Sequence, residues 1–302
     1  LLFLFIVSFI LIWKSADYFV DASHTIACYS KLPPILIGAT IVAFGTSAPE
    51  LFVNMFAAYA KQPNIVYGNI FGSNIANSCL IFGVACFLTR LHITSQFKRY
   101  MLLNILALGA TIPWLLFNLE SRISGIIILG LFICINVYAF ANTKTEETTT
   151  PKTSLLVAIL LFGISLIVLM GSSRMLISSL LTISQLFGIS STFLSVVAVA
   201  LGTSLPELVS SIAFIKKGHS DMVIGNILGS NIFNLLFVLP ISWLVVPTTM
   251  PKPFIIEILF LAILALGLYL ISIKQAALFK ATGSLSLLIY ITYIGYAVQK
   301  LL

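Results

Sequence analysis

An internal duplication is the feature that most constrains the fold. Residues 42–50 have the sequence VAFGTSAPE, and residues 199–207, which follow at an offset of 157, have the sequence VALGTSLPE. A second block follows each copy at the same offset, with GNIFGSNIAN at 68–77 and GNILGSNIFN at 225–234. Fifteen of these 19 aligned positions are identical, where chance would give about one. The chain therefore contains two related halves, and we expect both to adopt the same fold.

Both copies lie inside long apolar runs. Of the 302 residues, 60% are hydrophobic and only 8% are charged, whereas a soluble domain is about 25% charged. A helix needs roughly 20 apolar residues to cross a bilayer. This length predicts an all-α polytopic membrane protein with about ten transmembrane helices, near residues 1–20, 33–60, 65–89, 99–118, 123–142, 153–182, 190–215, 221–246, 253–273 and 279–299.

A polar connector divides the chain near its middle. Residues 143–153 are too polar for a packed core. We expect residues 1–142 to form the first repeat, with its motif at 42–77, and residues 154–302 to form the second, with its motif at 199–234. Because each half holds about five helices, the second would enter the membrane with the opposite orientation. Two inverted-topology five-helix repeats are typical of secondary transporters, whose substrate site lies at the midplane between the repeats.

The basic residues predict the orientation. If the N-terminus lies outside, the inner loops carry ten Lys and Arg residues and the outer ends carry four. Inner loops are enriched in these residues, so both termini should lie outside and the connector in the cytoplasm. The net charge of +7 then follows from topology, and nucleic acid is not an expected partner.

A proline and a glycine predict a helix break inside each first block. Pro49 has no N–H, and its ring clashes with the carbonyl of Gly45. Gly202 and Pro206 repeat this pair. We therefore expect the helix near residues 33–60 to break around residues 43–46. At membrane depth, a break is tolerated where it lines a cavity or is buried in protein.

Oxygen-bearing side chains surround the predicted breaks: Thr46, Ser47, Glu50, Thr203, Ser204 and Glu207. An all-oxygen set suits hard cations such as Ca²⁺ and Na⁺, and an ionisable residue within a span is a functional candidate by default. The structural alternative is an acid paired with a base. The basic residues inside spans are Lys14 and Arg174. Arg174 aligns with Asp17 under the offset, so we expect Asp17 and Arg174 to neutralise one another or partners on the first helix of each half.

The second block adds a polar face. Residues four apart share a helix face, which places in line Asn69, Ser73 and Asn77 in the first half and Asn226, Ser230 and Asn234 in the second. Glycines four apart, at 68 and 72 and again at 225 and 229, would let helices approach closely. The polar residues could serve only as interhelical hydrogen-bonding groups, but their duplication beside a duplicated carboxylate favours an ion pathway.

The pattern GTSxPE followed by GNIxGSNIxN, present twice, resembles the alpha-repeats of the sodium/calcium exchanger superfamily, and most closely its bacterial and archaeal calcium/sodium antiporters. The resemblance implies ten helices in two inverted halves. It implies that Ca²⁺ is bound by both carboxylates and two backbone carbonyls, from Glu50, Glu207, Thr46 and Thr203. It further implies one Na⁺ site from Ala43, Ser47, Ser73 and Glu207, and a mirror site from Ala200, Ser204, Ser230 and Glu50. Asn77 would lie at the centre, and Asn234 stands where some members have Asp.

The function expected is antiport of Ca²⁺ against Na⁺ by alternating access, without a cofactor or an obligatory protein partner. Exchange of Ca²⁺ for H⁺, or with a requirement for K⁺, is the nearest alternative, and a cation channel is a more remote one. An intramembrane protease would need a general base beside Ser47 or Ser204, and no histidine lies mid-span. The chain is therefore expected to be a transporter and not an enzyme, in a prokaryotic inner membrane, with inorganic cations and the lipid bilayer as its partners.

Overall fold

The computed structural model describes residues 2–141, 151, 153–186, 203–274, 277–278 and 280–299. The described residues form eleven helices: α1 (Leu2–Ser30), α2 (Pro34–Thr46), α3 (Ala48–Tyr59), α4 (Pro63–Leu88), α5 (Ser95–Leu116), α6 (Arg122–Ala141), α7 (Leu155–Leu186), α8 (Leu205–Lys216), α9 (Ser220–Val245), α10 (Ile255–Lys274) and α11 (Lys280–Gln299). A 3₁₀ turn, Lys252–Phe254, precedes α10. Two short strands, β1 (Leu91–His92) and β2 (Ala277–Leu278), pair in antiparallel fashion.

The predicted all-α membrane class is confirmed. Seven of the described helices are long and apolar enough to cross a membrane, and an eighth span results if the bent pair α2 and α3 is counted as one. Most of the connector at 143–153 and the first part of the predicted helix at 190–215 lie outside the described residues. The count of ten, the inverted repeats and the boundaries of the two halves therefore stay predictions.

The helices that carry the second block form the centre of the bundle. In the most apolar stretch of α4, 78% of the residues are buried inside the protein, and in that of α9 the share is 94%. In α6, α7 and α10 the share is 22%, so most residues of those stretches lie at least partly on the outside of the bundle. The Ser and Asn stripes thus lie in the protein interior, where unpaired polar groups are costly.

The central helices α4 and α9 each contain a π-helical segment that begins at or next to the last asparagine of its polar stripe, Asn77 in α4 and Asn234 in α9. These segments are Ala76–Ile81 in α4 and Asn234–Val238 in α9, and they begin within one residue of equivalent positions. A third, Gly38–Val42, lies in α2. Segments of this kind are rare and occur frequently at functional sites. The repeat alone does not predict them.

The glycines of α9 allow backbone contact with α2. A Cβ on Gly225 would meet the carbonyl oxygen of Ile35, and one on Gly229 would meet the backbone of Ala39. On the α2 side of this contact, a Cβ on Gly38 would lie 2.5 Å from the Met222 carbonyl oxygen of α9. Where α2 and α9 meet, the contact is therefore made by backbone, as the glycine spacing predicts for the second half.

Loops that the sequence assigns to the same side of the membrane contact one another. The inner loops after α4 and α10 pair through β1 and β2. At the other end, the Met250 N–H donates to Glu120 at 2.9 Å, and the Arg122 guanidinium donates to the Leu244 carbonyl at 3.2 Å. These contacts agree with the predicted grouping of loops, while which face is cytoplasmic stays a prediction.

The structure does not show the expected pairing of Asp17 with Arg174. The ammonium of Lys217 lies 2.8 Å from the Asp21 carboxylate and 3.9 Å from that of Asp17. It also donates to the Asp17 carbonyl at 2.8 Å, whereas Arg174 has an exposed side chain. The partner inferred from the offset of 157 is wrong, because Lys217 enters from a loop that the repeat does not relate to Asp17.

Candidate cation-binding site

The first block bends the chain at Ser47. The axes of α2 and α3 differ by 46°. Ser47 joins them with φ −88° and ψ 9°, and Ser204 has nearly the same angles, −86° and 4°. Pro49 and Pro206 lie in the first turn of the helices that follow, where the missing N–H costs nothing. The helix runs through residues 43–46, so the break comes just after the predicted stretch.

This bend turns the two carboxylates into the protein. Glu50 and Glu207 occupy the first turn of α3 and α8, where the helix dipole favours negative charge. Each side chain is only 1% exposed. Neither has a lysine or arginine partner in the part of the chain that the structure describes. The alternative of an acid paired with a base is therefore not what these residues form.

Hydroxyl groups hold one oxygen of each carboxylate. Ser47 donates to Oε1 of Glu207 at 2.9 Å, which joins the two halves. Ser73 lies 3.3 Å from Oε1 of Glu50 and 3.2 Å from the Thr203 hydroxyl. The family resemblance groups both serines with Glu207, and in the structure only Ser47 contacts that residue.

The hydrogen bonds of the two halves are less symmetric than their sequences. Under the repeat, Ser204 corresponds to Ser47 and Ser230 to Ser73. Both are buried, yet within the described residues neither hydroxyl has a hydrogen-bond partner. The first half thus supplies the serines that hold both glutamates, while the equivalent serines of the second half have no partner among the described residues.

Several buried oxygens at this site have no partner among the described residues: Glu50 Oε2, Glu207 Oε2, Ser204 Oγ, Ser230 Oγ, Asn77 Oδ1 and Asn234 Oδ1. All six belong to residues that the sequence motifs single out. A buried polar atom without a partner costs about 1–3 kcal/mol, and more when it is charged. Oxygen ligands are what Ca²⁺ and Na⁺ prefer, so a bound cation would offset this cost. The residues present therefore fit such an ion.

The residues around the bend have bonds of their own. The Ala43 carbonyl accepts the Ser47 N–H at 3.0 Å and lies 3.5 Å from the Thr46 hydroxyl. The Thr46 hydroxyl lies 3.1 Å from Oδ1 of Asn226. Ala200 and Gly202, the second-half counterparts of Ala43 and Gly45, lie outside the described residues.

The first asparagine of each stripe bonds to one of the helices that carry the glutamates. Asn69 donates to the Glu50 carbonyl at 3.2 Å and to Oδ1 of Asn54 at 2.6 Å. In the second half, Asn226 donates to the Ser211 hydroxyl at 3.4 Å. Ser211 corresponds to Asn54 under the offset. Asn69 therefore bonds to α3 at Glu50 and Asn54, and Asn226 bonds to α8 at Ser211.

Two further asparagines, Asn74 and Asn231, were missed by sequence reasoning. They bridge α4 and α9 through hydrogen bonds to Asn77 and Asn234. Both lie in the GSN triplet of the second block, so their duplication was the available signal. They do not share the helix face of the predicted stripe, and spacing alone therefore excludes them.

Comparison with known proteins identifies the family. The family model "sodium/calcium exchanger protein" matches residues 1–141 and 157–299. A putative antiporter, CaxA of Alkalimonas amylolytica, is 36% identical over 79% of this chain and 78% of its own length. The sodium/calcium exchanger MaX1 of Methanosarcina acetivorans is 26% identical over 79% of this chain and 81% of its own. A solved structure of the sodium-calcium exchanger NCX_Mj, soaked with Na⁺ and Ca²⁺, has a TM-score of 0.85 and 29% identity and covers 97% of both chains. These matches confirm the resemblance drawn from the duplicated motifs: the chain belongs to the sodium/calcium exchanger family and is a membrane cation transporter.

Proposed function

We propose that this chain exchanges Ca²⁺ for Na⁺ across a membrane by alternating access. The observation that carries the proposal is the pair of buried carboxylates, Glu50 and Glu207, each with one oxygen held by a hydroxyl and the other unpartnered among the described residues. Such a pair needs positive charge, and no basic side chain of the described residues supplies it. A mobile cation, whether a metal ion or a proton, is the remaining source.

The proposed Ca²⁺ ligands are the two carboxylates with the carbonyls of Thr46 and Thr203. Na⁺ would be held by the remaining oxygens, from Ala43, Ser47, Ser73, Ala200, Ser204 and Ser230. Asn77 and Asn234 would complete the centre of the site with neutral oxygens. In this arrangement the glutamates serve both ions, so Ca²⁺ and Na⁺ compete for the same charges.

That competition gives obligatory exchange. Two uncompensated carboxylates in a low-dielectric interior are strongly disfavoured, so the empty site resists any movement that would seal it further from water. Occupancy by one divalent ion or by monovalent ions neutralises the charge. Only the loaded protein would then reverse its access, and leak without exchange is suppressed.

The test is uptake of radioactive Ca²⁺ into liposomes that contain the purified protein, under imposed gradients of Na⁺, K⁺ or H⁺. We expect an outward Na⁺ gradient to drive accumulation of Ca²⁺, with no comparable effect of K⁺ or H⁺. Accumulation driven by H⁺ alone, or only when K⁺ is present, would assign the alternative exchange reactions. Uptake that follows the Ca²⁺ gradient and ignores all three would indicate a channel.

We also propose that the protein lies in a prokaryotic inner membrane with both termini outside. The ten inner and four outer basic residues support this orientation. The bacterial source of CaxA and the archaeal source of MaX1 support a prokaryotic membrane. No protein partner is required by the proposed mechanism, because the site is built within one chain.

A further inference from the structure

We infer that Asn74 and Asn231 are positioning residues that hold the amides of Asn234 and Asn77 with their oxygens toward the cation site. This inference rests on the proposed function, since it specifies how the site is prepared for a cation. Each of the four side chains is at most 1% exposed. The four form one connected cluster between α4 and α9.

The orientation of Asn234 follows from a series of hydrogen bonds that starts at a backbone carbonyl, which can only accept. The Asn74 amide nitrogen lies 3.4 Å from the backbone carbonyl of Asn231. A carbonyl can only accept, so this contact decides which end of the Asn74 amide faces it. The Asn74 oxygen then points to Asn234 and accepts from its amide nitrogen at 3.0 Å. The oxygen of Asn234 is consequently turned away from Asn74, and it is one of the atoms without a partner among the described residues.

A second series of hydrogen bonds contains Asn77. Its amide nitrogen donates to the Asn231 side-chain oxygen at 3.1 Å. The nitrogen of the same Asn231 amide donates to the Ser78 hydroxyl at 2.9 Å. The oxygen of Asn77 is thereby left without a partner in the described part of the chain. In this arrangement both halves end in a buried amide oxygen on the far side from a neighbouring asparagine. The Asn74 orientation is fixed by a carbonyl, whereas the Ser78 hydroxyl, which can donate or accept, does not by itself fix that of Asn231.

The residues that carry those two oxygens share helix faces with proposed ion ligands. Asn77 follows Ser73 by four residues and Asn234 follows Ser230 by four, which places each pair on one helix face. Ser73 is bonded to Glu50. An amide presents a cation with either a favourable oxygen or a repelling N–H group, and the two ends have nearly the same shape. A neighbour that fixes the orientation would therefore act on affinity without touching the ion, as outer residues do at metal sites.

The competing explanation is that Asn74 and Asn231 merely hold α4 against α9. The two explanations differ in what happens when there is no amide left to orient. A positioning residue acts through Asn234, so its effect on cation affinity should disappear when Asn234 is removed. Because Asn74 bonds to Asn234 directly, loss of that bond alone makes the two substitutions non-additive in stability. A residue that only joins the helices should therefore lower the unfolding temperature of the cation-free protein and leave the half-saturating cation concentrations unchanged.

We therefore propose a double-mutant cycle with Asn74→Leu, Asn234→Ala and the double variant. Purified proteins would be titrated with Na⁺ and with Ca²⁺, and thermal stabilisation would report binding. We expect Asn74→Leu alone to raise the half-saturating concentrations about tenfold, the loss expected when a well-placed polar interaction is removed. In the Asn234→Ala background, the same substitution should change them less than twofold.

Equal effects of Asn74→Leu in the two backgrounds would overturn the inference. So would an unchanged affinity in the single variant, or a parent that no cation stabilises. If Asn74→Leu does not fold, a second cycle with Asn231→Leu and Asn77→Ala decides the same question. Asn104→Leu, at a buried asparagine on α5, is the matched control and should leave cation affinity unchanged.

These titrations separate the inference from the proposed function. Binding measurements do not require that Na⁺ drives transport. A parent that binds Ca²⁺ but fails to exchange it for Na⁺ in liposomes would contradict the function, and the cycle would still be interpretable. A parent that exchanges normally, combined with additive effects in the cycle, would contradict the inference alone.

Discussion

At the scale of single residues, the two carboxylates carry the chemistry that the proposed function needs. Replacing either glutamate by glutamine keeps the shape of the side chain and removes its charge. Glu50→Gln and Glu207→Gln should each reduce Ca²⁺ exchange by at least a hundredfold, because one uncharged amide cannot replace a ligand to a divalent ion. The measurement is Na⁺-driven Ca²⁺ uptake in liposomes, normalised to the amount of folded protein. Glu146→Gln, in the polar connector, is the control and should transport normally; a glutamine variant of either site residue that matches it would refute the site.

Asn234 offers a prediction about pH. Its amide nitrogen donates to the Asn74 oxygen at 3.0 Å. In Asn234→Asp, a neutral carboxylic acid could still donate there, whereas a carboxylate would face that oxygen without a proton and would lie near two other carboxylates. We expect the variant to exchange at acidic and neutral pH and to lose activity as the pH rises, in a range where the parent changes little. Rates measured in parallel across that range test this, and superimposable profiles would contradict it.

The hydrophobic variant Asn234→Leu completes that comparison. It has a similar size but neither a donor for Asn74 nor an oxygen for an ion. We expect transport to fall at least tenfold while the yield of folded protein stays close to that of the parent. Normal transport by this variant would make Asn234 a packing residue.

Residue types also explain how much of the site the sequence could predict. A carboxylate inside an apolar run is conspicuous, so Glu50 and Glu207 could be found without coordinates. Asn74 and Asn231 could not be interpreted, because their partners lie on the opposite helix and only the packing of α4 against α9 brings them together. Likewise, nothing in the local sequence indicates that Lys217, and not Arg174, meets Asp17.

At the scale of elements, glycine decides how closely α9 approaches α2. An alanine in an exposed helix is usually more stable than a glycine by about 0.5–1 kcal/mol. At Gly225 the added Cβ would collide with the Ile35 carbonyl, so Gly225→Ala should instead destabilise the protein, by about 1–3 kcal/mol. Thermal unfolding in detergent measures this. Gly267→Ala on α10 is the matched control, since a Cβ added there would meet no heavy atom of the described residues within 4 Å; equal behaviour of the two variants would show that the close contact carries no energetic weight.

The helices also show which of their features the sequence pattern predicts and which it does not. The apolar runs and the proline positions predict helices and a bend, and the bend is present at Ser47. The π-helical segments in α2, α4 and α9 could not be predicted, because a widened turn leaves no mark in composition. The offset of 157 does not reveal them, although two of them lie at nearly equivalent places.

A half-buried acid between two loops supplies a prediction about stability. Desolvation by burial raises the pKa of Glu120 above its ordinary value, although hydrogen bonds such as the one from the Met250 N–H oppose this. The neutral form is favoured in the folded protein, so the stability it contributes is fully present below the unfolded pKa. That stability is lost as the pH rises through the folded value.

Glu120→Gln keeps an oxygen for the Met250 N–H and has no charge. We expect its Tm to exceed that of the parent at neutral pH, by an amount on the order of a few degrees. The difference should shrink as the pH falls toward the unfolded pKa of about 4.3. Thermal unfolding at a series of pH values tests this, and a difference that does not change with pH would show that charge is not the cause.

At the scale of the whole molecule, the predicted orientation can be tested by labelling. In a variant whose four native cysteines are replaced by serine, a cysteine at Thr149 should be inaccessible to an impermeant reagent added to intact cells. A cysteine at Lys252, in a predicted outer loop, is the control and should react. The connector lies on the cytoplasmic side if only the second site is labelled, and labelling of the first would reverse the topology.

The serines of the two halves differ in their hydrogen bonds, and this difference has a consequence for the proposed transport cycle. If the halves are inverted copies and access alternates as proposed, the protein should have a second conformation in which each half adopts the arrangement now seen in the other. The roles of the four hydroxyls would then be exchanged: Ser204 would hold Glu50, Ser230 would hold Glu207, and Ser47 and Ser73 would be released. One structure of a single conformation would in this way describe both ends of the cycle, with the serines of the second half marking the bonds that form when the site opens to the other side.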